Sequence, residues 1–138
     1  GSRGAHDLSK ILKFSDAKFL AICDVRNERR ETIKSTVDKA YGNRDCKMYS
    51  DQYELLARPD IDAVLIATGD RWHTPLSIIA AQHGKDVYCE KPCSMSIEES
   101  WALAQAFQRY NRLYQAGCQR RNGANFKLCR ELLQSGAL

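Results

Sequence analysis

Long apolar runs are missing from this 138-residue chain. None approaches the ~18 residues of a membrane span. No segment of this chain is long and apolar enough to cross a bilayer as a helix, and no membrane partner is expected. Metal-binding cysteine patterns are missing too. The six cysteines contain no C-x-x-C pair and no zinc-type spacing, so no metal is expected. Cys23, Cys89 and Cys118 lie in or beside apolar runs, which suits small buried thiols, free and in a reducing compartment. Charge of one sign is not in large excess. A net charge of +4 and a pI near 8.8 suit an anionic cofactor but fall short of a nucleic-acid signature. The late cations Arg109, Arg112, Arg120, Arg121, Lys127 and Arg130 read as solvated helix faces. Repeats, linkers and low-complexity tracts are absent, and no signal peptide opens the chain. The expected compartment is the cytoplasm, and because the chain starts abruptly at Gly1 periplasmic export stays open.

What is present is an ordinary globular composition, 43% hydrophobic and 28% charged, enough for one domain with a sizeable core. Strand and helix patterns alternate. Residues 18–24 read as a strand, 27–41 as a helix stopped by Gly42, and 47–49 as a weak strand. A short helix follows, with Asp51 and Glu54 at capping-box spacing. Residues 61–67 read as a strongly buried strand. Pro75 sits in the first turn of the next helix, where its missing N–H is harmless, and Gly84 closes it. Residues 86–90 form another strand. Ser96 and Glu99 then open an amphipathic helix with Ile97, Trp101, Ala104 and Phe107 on its core face, ending near Asn111. Tyr110 is assigned to the core with Trp101 and Phe107. Residues 113–117 read as a strand and 125–134 as a last helix ended by Gly136. This alternation predicts an α/β fold, a doubly wound parallel sheet covered on both faces.

Chemistry concentrates where apolar runs end. In open α/β sheets, ligands bind beyond the carboxyl ends of the strands. The run at residues 86–89 ends in Glu90, Lys91 and Pro92. A Lys there can donate a proton or hydrogen bond to a substrate oxygen, the more so if burial lowers its pKa. Pro92 holds its backbone extended. The plainer alternative is an exposed turn with a surface ion pair. Gly1, Ser2, Arg3 and Gly4 precede a plausible helix and make half of a G-x-G-x-x-G motif, whose amides cradle a pyrophosphate. Asp24 ends a strand twenty positions after Gly4, where a dinucleotide fold puts the carboxylate that bonds the adenosine ribose. It would repel a 2′-phosphate and so favours NAD over NADP, although Arg26 softens that preference. Asp24 also reads as an N-cap for the following helix. Thr68 and Gly69 leave room for a ligand after the strongest strand, and Trp72 and His73 open the next helix. Gln119, Arg120 and Arg121 leave the last strand. Cys93 lies near this edge with no His close in sequence, so a thiol nucleophile is the weaker reading.

Taken in order, these segments resemble the N-terminal half of the Gfo/Idh/MocA family of NAD(P)-dependent oxidoreductases, typified by glucose–fructose oxidoreductase and inositol dehydrogenase. The resemblance implies a Rossmann domain over residues 1–121 and hydride transfer between a sugar-like or polyol carbon and nicotinamide. It implies that Gly1, Ser2, Arg3 and Gly4 hold the pyrophosphate and Asp24 the adenosine ribose. Thr68, Trp72 and His73 would line the nicotinamide half, with Glu90 near its ribose. Lys91 would touch nicotinamide and substrate as the catalytic residue, the bond before Pro92 would be cis, and Gln119 and Arg120 would join the cofactor rim. Two departures are visible. Gly69 stands where the family commonly has proline. The family's first strand would precede Gly1, and residues 122–138 would begin the connection to a second, α+β substrate domain that lies outside this chain. On that reading the chain does not turn over alone, and the intact protein can form homo-oligomers. Two alternatives stay open: an NAD-dependent glycoside hydrolase that oxidises its sugar transiently, and a non-catalytic dinucleotide-binding module.

Overall fold

Residues 1–137 are described by a computed structural model. Its elements run α1 (Ser2–Ile11), β1 (Ala21–Cys23), α2 (Asn27–Tyr41), β2 (Lys47–Tyr49), α3 (Gln52–Leu56) and β3 (Ala63–Ile66). They continue with α4 (His73–Gln82), β4 (Asp86–Cys89), α5 (Ile97–Arg109), β5 (Tyr114–Ala116) and α6 (Ala124–Gln134). Short 3-10 turns over Asp70–Trp72 and Gln119–Asn122 precede α4 and α6. Every strand pair is parallel, as strand–helix alternation requires. No helix among the described residues is long and apolar enough to cross a membrane.

Local signals set most boundaries. Gly42 ends α2 in the left-handed conformation at φ 68°, where a side chain would be strained. Asp51 caps α3 by accepting from the Tyr53 amide at 2.7 Å. Ser96 caps α5 by accepting from the Glu99 amide at 3.2 Å. Glu99 does not close the expected reciprocal box on Ser96. Its carboxylate instead takes the Met95 amide at 2.7 Å.

The parallel α/β class expected from the sequence holds, and three details within it differ. The sheet is not continuous: β1–β2 forms one sheet and β3–β4–β5 another. β1 and β3 share no ladder among the described residues. The strongly buried reading of β3 also changes: Ala63 is exposed, Val64 and Leu65 are half-buried, and within the strand Ile66 alone is buried. The third correction concerns α5. Its core face is Leu103, Ala106 and Phe107, with Tyr110 packed alongside. Trp101 is 66% exposed, and Ile97 and Ala104 are exposed with it. Two apolar stripes run along this helix, and contact with the sheet selects one of them. Phe107, common to both stripes, stacks edge-on against Tyr114 in β5, with ring centroids 4.9 Å apart. Among the cysteines, Cys89 and Cys46 are buried, whereas Cys23 and Cys118 are exposed.

Two cores result. The larger gathers Leu55, Leu56, Ile66, Val87, Leu103 and Phe107 around the three-stranded sheet. The smaller joins Leu8, Val37 and Cys46 beneath β1. Helices bridge them: α1 contributes Leu8 to the small core while Gly4 abuts Ala67 at the end of β3. Lys85 adds a polar staple. Its buried ammonium donates to the Arg58 carbonyl at 2.6 Å and the Ile61 carbonyl at 2.8 Å, tying the start of β4 to the segment entering β3. Lys85→Ala leaves both carbonyls without their charged donor. The expected cost is about 2–3 kcal/mol, read as a lower urea midpoint at unchanged m-value.

Candidate functional site

Register builds the site. Ile66 is aligned with Cys89, and Cys89 with Ala116, so three parallel strands end at one level. The ladder then runs one step further. The Glu90 amide donates to Ile66 at 2.9 Å and the Gly117 amide donates to Cys89 at 2.8 Å. Ala67–Thr68, Glu90–Lys91 and Gly117–Cys118 therefore leave the sheet side by side.

The start of α1 lies against this rim. A Cβ on Gly4 would stand 3.2 Å from the Ala67 Cβ, so the helix approaches the strand end as closely as a glycine allows. Gly1 is the N-cap, and the first helical bond is donated by Ala5 to Gly1 at 3.2 Å. The amides of Ser2, Arg3 and Gly4 thus have no intrahelical acceptor and stand at the positive end of the helix dipole, a setting that favours an anion.

Arg3 pins this turn to the rim. It pairs through Nη2 with Asp7 Oδ1 at 2.7 Å and through Nε with Glu90 Oε1 at 3.2 Å. Gln119 adds its amide, donating to Glu90 Oε1 and to the Tyr88 hydroxyl, the latter at 2.7 Å. Glu90 is only 3% exposed. The exposed Glu90–Lys91 ion pair considered from sequence is therefore absent, because Glu90 turns inward to Arg3. Burial pushes the Glu90 carboxyl upward, but hydrogen bonds with Asp7, Arg3 and Gln119 together hold it below the ordinary glutamate range. Burial raises the Asp7 carboxyl, and the neighbouring Glu90 raises it further.

Lys91 and Pro92 remain exposed, and the bond between them is cis. The Lys91 ammonium makes no ion pair among the described residues. His73 has a different place from the one expected. Its ring is 1% exposed and lies between two backbone carbonyls, with Nδ1 2.7 Å from Pro92 O and Nε2 3.3 Å from Thr68 O. It shapes two rim loops from beneath. Thr74 assists by donating to the Cys93 carbonyl at 3.0 Å. Cys93 itself packs against the larger core. Thr68 and Trp72 are exposed on the rim side of α4.

Asp24 follows β1 directly. Its Oδ1 accepts from the Arg26 amide at 2.9 Å, and its Oδ2 lies 3.9 Å from Arg29 Nη1. The helix N-cap is Arg26, so the N-cap reading of Asp24 is corrected: the carboxylate folds over its own turn. The same Arg29 nitrogen is 3.9 Å from where a Gly1 Cβ would be, which puts Asp24 beside the start of α1. Arg120 is exposed and stays outside the Glu90 cluster.

Three participants escaped the sequence reading. Asp7 was legible as the i+4 partner of Arg3 on one helix face. Tyr88 was legible as the same-face neighbour of Glu90 along an extended strand. Arg29 had no signal beyond its charge, since its meeting with Asp24 and Gly1 is a matter of tertiary packing.

The profile of the Gfo/Idh/MocA group, described as an oxidoreductase family with an NAD-binding Rossmann fold, matches residues 1–118. The chain belongs to this family. It is 29% identical over its whole length to the myo-inositol 2-dehydrogenase of Thermotoga maritima, of which it covers 40%. It is 36% identical over 107 residues to a glycosyl hydrolase family 109 protein of Phocaeicola vulgatus, covering 75% of this chain and 22% of that protein. The crystal structure of a probable dehydrogenase from Thermotoga maritima superposes with a TM-score of 0.85 at 30% identity, over 99% of this chain and 39% of the other. The chain thus spans about two fifths or less of these relatives. A Gfo/Idh/MocA Rossmann domain accounts for the parallel order and for a rim assembled from α1 and the strand ends. The residues fit its dinucleotide on structural grounds: free amides at the start of α1, held against the rim by Gly4, and a carboxylate at Asp24 lie together there.

Proposed function

We propose that this chain is the cofactor-binding part of an NAD-dependent oxidoreductase acting on a sugar or polyol-like alcohol. One observation carries the reading. The parallel register sets exposed Lys91 beside Ala67 and Thr68, Gly4 seats the open first turn of α1 against Ala67, and Arg29 joins Asp24 to the start of that turn. When bound, the nicotinamide supplies a hydride acceptor. The protein's own residues do the rest. The amides of Ser2, Arg3 and Gly4 hold the pyrophosphate, and Asp24 accepts from the adenosine ribose hydroxyls. Thr68, Trp72, Pro92 and Arg120 border the nicotinamide half, Glu90 and Gln119 shape its floor, and His73 holds two of these loops in place. Lys91 orients the substrate hydroxyl and assists removal of its proton. Similarity to a myo-inositol 2-dehydrogenase supports the polyol class. Residues 122–138 are read as the start of the connection to a substrate domain. That α6 buries no residue against the rest of the chain supports this.

Titration with NAD and NADP, followed through Trp72 fluorescence, tests the cofactor choice; tighter binding of NADP would defeat it. Asp24→Ala removes a charge-assisted hydrogen bond of about 1.5–3 kcal/mol. NAD affinity is then expected to fall by roughly 10–100-fold, with a smaller loss for NADP.

A second reading rests on the 36% identity to a glycosyl hydrolase family 109 protein. There the same rim would oxidise a sugar carbon transiently, so that a glycosidic bond can be eliminated before the carbon is reduced again. Glycoside cleavage without net NADH favours this reading, whereas NADH accumulating with a free polyol favours the first.

A further inference from the structure

Two buried carboxyl groups share a single guanidinium beneath the first turn of α1. Asp7 is 6% exposed and Glu90 3%, and Arg3 reaches both, at 2.7 and 3.2 Å. Arg3 occupies Asp7 Oδ1 and Glu90 Oε1. The other two oxygens, Asp7 Oδ2 and Glu90 Oε2, are buried without a hydrogen-bond partner among the described residues. Because both sit on adjacent nitrogens of one guanidinium, the two carboxyl groups lie side by side. Two ionised carboxylates in that position would repel, and neither could donate. One proton shared by the pair supplies the donor that both carboxyl groups lack and leaves a single negative charge opposite Arg3.

We propose that Asp7 is a positioning residue: it carries one shared proton, donates it to Glu90, and thereby locks α1 to the strand end that presents Lys91. The donor pattern says which group holds the proton. Glu90 accepts from Arg3 and from Gln119, which favours its charged form. Asp7 accepts from Arg3 alone. The surroundings add no second anion. Arg3 and His6 are the charged or titratable neighbours on α1, Tyr88 comes from β4, and the turn after β5 contributes the neutral Gln119. The end of β3 contributes only Ala67, against Gly4. The role deepens the proposed function and rests on it for its link to cofactor binding. The shared proton itself stands without it.

The pH dependence follows from the directions of the two shifts. Asp7 titrates above its unfolded value, so its contribution is complete at low pH and is lost as pH rises through the folded value. Glu90 titrates below its unfolded value, so its contribution is lost as pH falls through the folded value. The lock is strongest between these two transitions.

Infrared spectroscopy of the nucleotide-free protein reads the proton directly. A protonated carboxyl band, present on the low-pH side of the Asp7 transition when exposed carboxyls are already ionised, should vanish in Asp7→Asn. It should vanish also in Glu90→Gln, where Asp7 is free to ionise against Arg3. The second variant decides the matter if the first fails to fold. A wild-type spectrum without the band, or a band that survives both substitutions, overturns the proposal. NADH titration across the same transition gives the functional arm. Wild-type affinity is expected to fall about tenfold for each unit separating the transition in free and bound protein, while Asp7→Asn should change less than about twofold on the same scale. An equal pH dependence in Asp7→Asn overturns the positioning role. Absence of nucleotide binding at every pH would sink the cofactor reading instead, and the infrared band would then decide the shared proton alone.

Discussion

Lys91→Ala in the protein that carries this domain is expected to lower turnover by roughly 10²–10⁴-fold, the usual worth of a positioned proton-transfer group. The dissociation constant for NAD should move by no more than about fivefold, as expected for one exposed electrostatic contact. The split follows from where the ammonium lies. Lys91 is exposed and makes no ion pair among the described residues, so no folded-state partner is stranded by its removal. The thermal midpoint should therefore hold while kcat falls. Steady-state kinetics beside a nucleotide titration separate these effects, and Lys91→Arg sharpens the comparison by keeping charge while changing proton-transfer geometry. Turnover that survives Lys91→Ala would leave the non-catalytic module as the better account of the rim.

Gly117→Ala is expected to damage fold and site together. A Cβ at Gly117 would stand 2.8 Å from Glu90 Oε1, 2.9 Å from Gln119 Nε2 and 3.1 Å from the Cys89 carbonyl oxygen. The first two atoms belong to side chains already bound to one another, and the third is backbone that accepts the Gly117 amide at 2.8 Å. None can withdraw without breaking a hydrogen bond. Overpacking of this kind costs about 1–3 kcal/mol, visible as a lower urea midpoint, and Glu90 should be displaced from Arg3 with loss of NAD affinity. Gly69→Ala is the matched control. Nothing lies within 4 Å of its Cβ position, and φ there is −75°, so stability should be unchanged or slightly raised. Equal losses at the two glycines would mean that the crowding at Gly117 is not what matters.

Much of this architecture was legible from one dimension. The order of strands and helices, the glycine at the end of α2, the serine and aspartate caps and the parallel class follow from hydrophobic period, turn chemistry and capping, all properties of residues a few positions apart. The strand-end polar tips were legible for the same reason, since each apolar run must stop where the sheet stops. Asp7 was within reach, because Arg3 and Asp7 are a helical i,i+4 pair, but nothing local reveals that a second carboxyl will arrive opposite them.

Misreadings occurred where two local patterns were equally good or where distance decided. Helix α5 has two apolar stripes, and its packing against α4 and β5 buries Leu103, Ala106 and Phe107 while leaving Trp101 in solvent. His73 opens a helix at the rim, as expected, but the loops folded over it leave its ring facing carbonyls. Glu90 and Lys91 are adjacent in the chain and opposite in fate, because consecutive residues leaving a strand point to opposite sides. One side met Arg3 and the other met solvent. By itself, then, the sequence determined the kind of fold and the edge at which its chemistry gathers, since periodicity and strand termination are local. Only tertiary structure decided which carboxylate is buried, which cation answers it and which lysine stays free, because charges separated by tens of residues acquire their meaning from the neighbours that packing brings to them.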